Sequence, residues 1–95
     1  MNLHQFALAE LMLGMAFALL VASLFLSFFR LVRGPSLPDR VVALDLISNV
    51  AVGFIALYGI ATHQGVYLDV AIVLALISFL STVAFARYLE KRALP

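Results

Sequence analysis

The chain has no cysteine and no tryptophan, and only 12% of its 95 residues are charged. Without cysteine there is no disulfide framework, thiolate nucleophile, iron–sulfur ligation or cysteine zinc site. The few charges nearly cancel: six Lys and Arg stand against five Asp and Glu, for a net charge of +1. That balance leaves no basic footprint for a nucleic acid. No nucleophile–base pair, phosphate-cradling loop or cofactor motif is visible. Ser36 and the serines of the apolar runs have no base nearby that would activate them. The chain is therefore not expected to be an enzyme, and nothing in it asks for a cofactor. The two histidines, His4 and His63, lack the helical spacing of a metal site, even with Glu10 and Asp69 toward the same end, so no metal is expected. No Lys or Arg occurs in the first five residues, and the apolar run that follows is too long for the core of a signal peptide. It is expected to stay as a membrane anchor.

What the chain does have is apolar surface. Its residues are 65% hydrophobic, whereas a soluble domain is about half apolar and a quarter charged. A soluble chain this short could not hide so much apolar area from water, so its solvent is lipid. Three runs carry the excess: Phe6–Phe29, Val41–Thr62 and Val66–Ala86. Each meets the ~20 residues that a bilayer crossing needs, and a helix satisfies its own backbone there. The expected fold is an all-α integral membrane protein, a single domain over 1–95 with transmembrane helices near 6–29, 41–62 and 66–88.

The cations orient it. Arg30, Arg33 and Arg40 flank the first loop, and Arg87, Lys91 and Arg92 follow the third helix. Three crossings put both groups on one side, which the positive-inside rule makes cytoplasmic. The expected topology is N-terminus out and C-terminus in. His63-Gln64-Gly65 then forms a short outer turn that makes the last two helices an antiparallel hairpin. Tyr67 and Tyr88 are expected at the two interfaces. The tail from Arg87 is expected to fray.

The stretch from Gly34 to Asp45 punctuates the apolar chain. Gly34-Pro35 is a helix stop, with glycine tolerating a left-handed cap and proline unable to continue the helix. Ser36, followed three residues later by Asp39, opens the next helix: a hydroxyl can accept a backbone N–H, and an early acid suits the positive helix end. In helix two, Asp45, Ser48 and Asn49 share one face at i, i+3 and i+4. Continued outward, that face carries Val52, Ala56 and Gly59, so it should look into protein or a water-filled crevice. In helix three, Ser78, Ser81 and Thr82 lie on the inner half, and Asp69 points nearly opposite Ser78. In helix one, Gly14, Ala18 and Ala22 form a small-residue stripe that lets another helix approach.

Glu10, Asp45 and Asp69 have no Lys or Arg at i±3 or i±4. An Asp at the centre of a membrane helix costs about 2.5–3.5 kcal/mol on insertion scales, and less near the boundary. Nothing local offsets that cost. The acid must stay protonated, meet a cation on another subunit, or bind a transported proton or metal cation. Three helices hardly enclose a crevice, so the chain is expected to be one subunit of a larger complex. Asp45 is the first residue to suspect of a place on an ion pathway, beside Ser48 and Asn49. Glu10 and Asp69 are weaker candidates for an outer mouth.

The run Arg33-Gly34-Pro35-Ser36-Leu37-Pro38-Asp39-Arg40-Val41-Val42-Ala43-Leu44-Asp45 resembles the signature of the F subunits of Mrp-type multisubunit Na+/H+ antiporters. The likeness extends over nearly the whole chain. It implies a multi-pass subunit of a prokaryotic inner membrane, with A, B, C, D, E and G subunits as partners and Na+ and H+ as transported ions. It implies further that Pro38, Asp39 and Arg40 hold a cytoplasmic entrance, and that Asp45 is the membrane carboxylate on the cation or proton path. The resemblance also implies, as an alternative, a home in membrane-bound hydrogenase-type complexes, where related subunits occur. Two other readings compete: a structural subunit whose Asp45 pairs with a neighbour's cation, and a phage holin, which has little use for a proline-bounded Asp-Arg motif.

Overall fold

The computed structural model describes residues 2–93. Among the described residues three α-helices make up the fold: α1 Leu3–Arg33, α2 Leu37–Thr62 and α3 Gly65–Ala93. Each contains one of the apolar runs, continues past it, and is long and apolar enough to cross a membrane. The starts are built as capping chemistry requires. Asn2 accepts from the Gln5 N–H at 2.8 Å while the Gln5 side chain reaches back to the Asn2 N–H, a reciprocal box that satisfies two orphan donors. At α2 the Ser36 oxygen accepts from the Asp39 N–H at 3.4 Å, and its hydroxyl donates to Asp39 Oδ2 at 2.9 Å. Pro38 sits in the first turn, where its missing N–H costs nothing.

Two expectations about helix ends need correcting. Gly34 does not take a left-handed cap; its φ and ψ are −61° and 122°. Pro35 explains this, because the residue before a proline is pushed out of the helical region into the extended one. Glycine is needed for close approach instead: a Cβ there would sit 3.0 Å from the Arg30 carbonyl oxygen and 3.3 Å from Asp39 Cβ. At the other end, the tail does not fray after Arg87. Helix α3 runs on to Ala93, with Lys91 and Arg92 complementing the negative helix end and Arg92 Nη1 donating to the Tyr88 hydroxyl at 3.1 Å. The last two residues lie outside the described ones.

The outer turn closes through a left-handed residue, and that residue is His63 (φ 56°, ψ 37°) rather than Gly65. The His63 N–H bonds the Ile60 carbonyl at 3.3 Å and the Gln64 N–H bonds the Gly59 carbonyl at 3.0 Å, the paired closure of a Schellman cap.

Helix α2 is central. It packs on α1 along one side and on α3 along the other, and among the described residues α1 and α3 do not pack on each other. The molecule is a slab of 63 × 27 × 14 Å, about one helix thick. On α1 the less exposed positions are Ala9, Leu13, Ala16, Phe17, Leu20, Leu24, Ser27 and Leu31; from Leu13 on, all but Ala16 alternate spacings of four and three, the seam of a shallow left-handed crossing. Phe17 meets Phe54 with ring centroids 6.1 Å apart, and Leu20 lies where a Cβ on Gly53 would come within 3.1 Å. On α3 the less exposed positions are Tyr67, Ala71, Ser78, Thr82 and Leu89, also on a seven-residue repeat. Tyr67 is therefore not simply a free interface anchor: it stacks edge-on against Tyr58 at 4.8 Å. Gly14 has open space around it and Ala18 and Ala22 are exposed, so the Gly14-Ala18-Ala22 stripe is left uncovered among the described residues.

Candidate functional site

The α2–α3 hairpin brings together polar residues that lie far apart in sequence. Asp45 and Thr82 are 37 residues apart, and Thr82 Oγ1 donates to Asp45 Oδ1 at 2.7 Å. The outer turn falls midway between them. Equal rise along two antiparallel helices, 1.5 Å per residue, therefore sets the two side chains level. Both are part-buried. Around them lies a small cavity of about 100 Å³, lined by Val41, Leu44, Asp45, Ser48, Ser78, Ser81, Thr82 and Phe85. It has five oxygen-bearing side chains and, among the described residues, no cationic side chain. Its volume has room for a few waters.

The oxygen atoms are not equivalent. The Ser48 hydroxyl proton is committed to the Leu44 carbonyl at 3.1 Å, so towards any further group its oxygen can only accept. Thr82 has committed its proton to Asp45. Asp45 Oδ1 is engaged, while Oδ2 has no hydrogen-bond partner among the described residues. What compensates Asp45 is thus not local but comes from another helix. A neutral hydroxyl from α3 meets one oxygen, and among the described residues no opposite charge lines the cavity.

Of the residues singled out from sequence, Asp45 and Ser48 line this cavity. Asn49 is exposed and does not line it. One position along a helix turns the side chain by about 100°, and that rotation separates Asn49 from Ser48. Pro38, Asp39 and Arg40 stand in the first turn of α2, beside the loop and away from the cavity. Asp39 caps through Ser36, and Arg40 Nε donates to the Gly34 carbonyl at 3.4 Å. The acid and base of the motif thus tie the first loop together. Glu10 and Asp69 are both exposed. Asp69 borders a shallow groove with Val66, Val70, Val73 and Leu74, away from Asp45. No group of three or more His, Cys, Asp or Glu side chains able to hold a metal ion occurs among the described residues.

Sequence reasoning placed Ser78, Ser81 and Thr82 on the inner half of α3 without joining them to Asp45. The signal was present in the near-symmetry of Asp45 and Thr82 about the His63 turn.

The fold and site together define a multi-pass membrane protein: three long apolar helices, and a carboxylate held in a polar cavity between two of them. Comparison narrows the class. Residues 38–90 match the family model of the multiple resistance and pH regulation protein F (MrpF / PhaF), and the chain belongs to that family. It is 40% identical over 81 residues to the F subunit of the Na(+)/H(+) antiporter of Bacillus subtilis, covering 85% of this chain and 86% of that one. It is 37% identical to the F subunit of a probable K(+)/H(+) antiporter of Rhizobium meliloti, covering 85% and 78%. Among solved structures it is similar to a chain of the membrane-bound sulfane sulfur reductase (MBS), an archaeal respiratory membrane complex. The identity there is 41% and the TM-score 0.69, over 77% of this chain and 92% of that one.

Proposed function

We propose that the chain is the F-type component of a multisubunit monovalent cation/proton antiporter in a prokaryotic cell membrane, and that Asp45 stands on or beside the ion route. In this reading the chain does no catalysis of its own. Its N-terminus lies outside and its C-terminus inside, with A-, B-, C-, D-, E- and G-type subunits as neighbours. The antiporter relatives support the class. The observation that carries the role of Asp45 is its half-engaged carboxylate, one oxygen on Thr82 and the other free, in a cavity lined by four hydroxyls. A carboxylate at membrane depth is retained where it works. Carboxylate and hydroxyl oxygens are the ligands that a hard monovalent cation or a proton carried on water would use. The slab is one helix thick, so it forms one wall of such a route and partner subunits must form the rest.

The test is cation-dependent proton flux in everted vesicles carrying the whole complex, wild type against Asp45→Asn, with assembly followed on a native gel. Flux should fall at least tenfold while the complex stays whole. Unchanged flux would remove Asp45 from the route.

A second reading is favoured by the same Thr82–Asp45 bond, which joins two helices directly: Asp45 then serves assembly, and the asparagine variant loses the complex rather than the flux. The likeness to a chain of a respiratory complex supports a further home in a reductase- or hydrogenase-type assembly. Cation dependence of the flux separates that home from an antiporter.

A further inference from the structure

We propose that Thr82 is a positioning residue for Asp45, holding one carboxylate oxygen so that the other is presented to the transported cation. The inference rests on the reading of Asp45 as an ion-route carboxylate.

The other membrane hydroxyls whose bonds are seen turn back on their own helix. Ser23 donates to the Leu19 carbonyl at 2.9 Å, Ser27 to Ser23 at 2.7 Å, Ser48 to Leu44 at 3.1 Å and Thr62 to Tyr58 at 2.8 Å. That bond, four residues back, is the ordinary way to satisfy a hydroxyl where there is no water. Thr82 departs from it. Its proton leaves its own helix and crosses to Asp45 on α2 at 2.7 Å. A hydroxyl has one proton to donate, so the two bonds exclude each other.

The geometry suits a positioning role. Thr82 stands on the packed seam of α3, so its hydroxyl is held level with Asp45 by the packing of the two helices. The aspartate has two rotatable bonds and would otherwise sample several rotamers. Held through Oδ1, it is ordered before any ion arrives. The ordering cost then falls in folding rather than in binding, which is how preorganisation raises affinity. Removing the hydroxyl should weaken cation binding more than it slows turnover.

The experiment uses the assembled complex in everted vesicles, with Na+ as probe and K+ in parallel, and reads the half-saturating cation concentration (apparent KM) separately from maximal flux. Thr82→Val should raise the apparent KM roughly 3- to 10-fold, the range expected when one side chain must be ordered on binding, with maximal flux within about twofold. Thr82→Ser keeps the hydroxyl and should stay within about twofold of wild type in both. The inference is overturned if the valine variant has the wild-type KM, or if serine is as impaired as valine, since shape would then matter rather than the hydroxyl. Should valine reduce assembly, Thr82→Ala is measured in the same way; if neither assembles, Thr82 is a packing residue and the inference fails. Asp45→Asn run in parallel keeps the two readings apart. Wild-type flux in that variant sinks the role of Asp45 itself. An unchanged KM in Thr82→Val beside an inactive Asp45→Asn sinks the Thr82 inference alone.

Discussion

Asp45 and His63 break local rules for different reasons. Asp45 is a carboxylate in a membrane helix whose compensation comes from one hydroxyl on another helix. His63 holds a left-handed backbone, φ 56°, which disfavours any side chain by about 1–2 kcal/mol. The turn needs that conformation because it closes two carbonyls at once, and glycine would meet the need at lower cost. His63→Gly should therefore raise the stability of the solubilised chain by about 1 kcal/mol, read as a higher thermal midpoint by circular dichroism in detergent. An unchanged or lower midpoint would mean that the imidazole makes a compensating contact.

At the scale of helices, two glycines set how closely α2 approaches its neighbours, and they differ in what surrounds them. A Cβ at Gly53 would meet the end of the flexible Leu20 side chain at 3.1 Å, which can give. A Cβ at Gly59 would meet Tyr67 Cβ at 2.9 Å, the Gln64 carbonyl oxygen at 3.2 Å and the Leu68 nitrogen at 3.4 Å, and backbone cannot give. Gly59→Ala should accordingly cost about 1–3 kcal/mol by overpacking, against less than about 1 kcal/mol for Gly53→Ala. Melting the two variants side by side checks the ranking; equal losses would refute it. At the start of α2, Ser36→Ala removes the acceptor of the Asp39 N–H and should cost about 1 kcal/mol, measurable in the same melts.

The whole molecule is a single layer, and its two broad faces bury almost nothing. Among the described residues the buried hydrophobic ones are Ala43, Val50 and Ala71. Such a slab in lipid needs neighbours to surround its polar cavity, so the chain alone should show no cation-dependent proton flux when reconstituted. Orientation is testable because the natural chain has no cysteine. Gln64→Cys should react with a membrane-impermeant maleimide in right-side-out vesicles, and Glu90→Cys only in everted ones. The reverse pattern would invert the topology argued from the six cations.

Residue order alone was enough to show that the chain is all-helical with three long apolar runs able to cross a membrane, and that Asp45 is the residue to explain. Those properties depend on local quantities: the length of an apolar run, a cap at Ser36, a proline at position 38, a charge where charge is costly. What Asp45 touches was settled by the packing of α3 on α2. The neighbours of a side chain across a hairpin depend on the geometry of the turn, and the φ of His63 and the close approach at Gly59 are not legible from residue types. The same geometry separates Ser48, which lines the cavity, from Asn49, which does not. Helical periodicity puts both on one broad face, but the axis along which α3 packs on α2 divides that face. Gly34 illustrates the point in small: its presence before Pro35 was readable as a helix stop, while its extended backbone and its closeness to Asp39 came from how the loop folds back on the helix it follows.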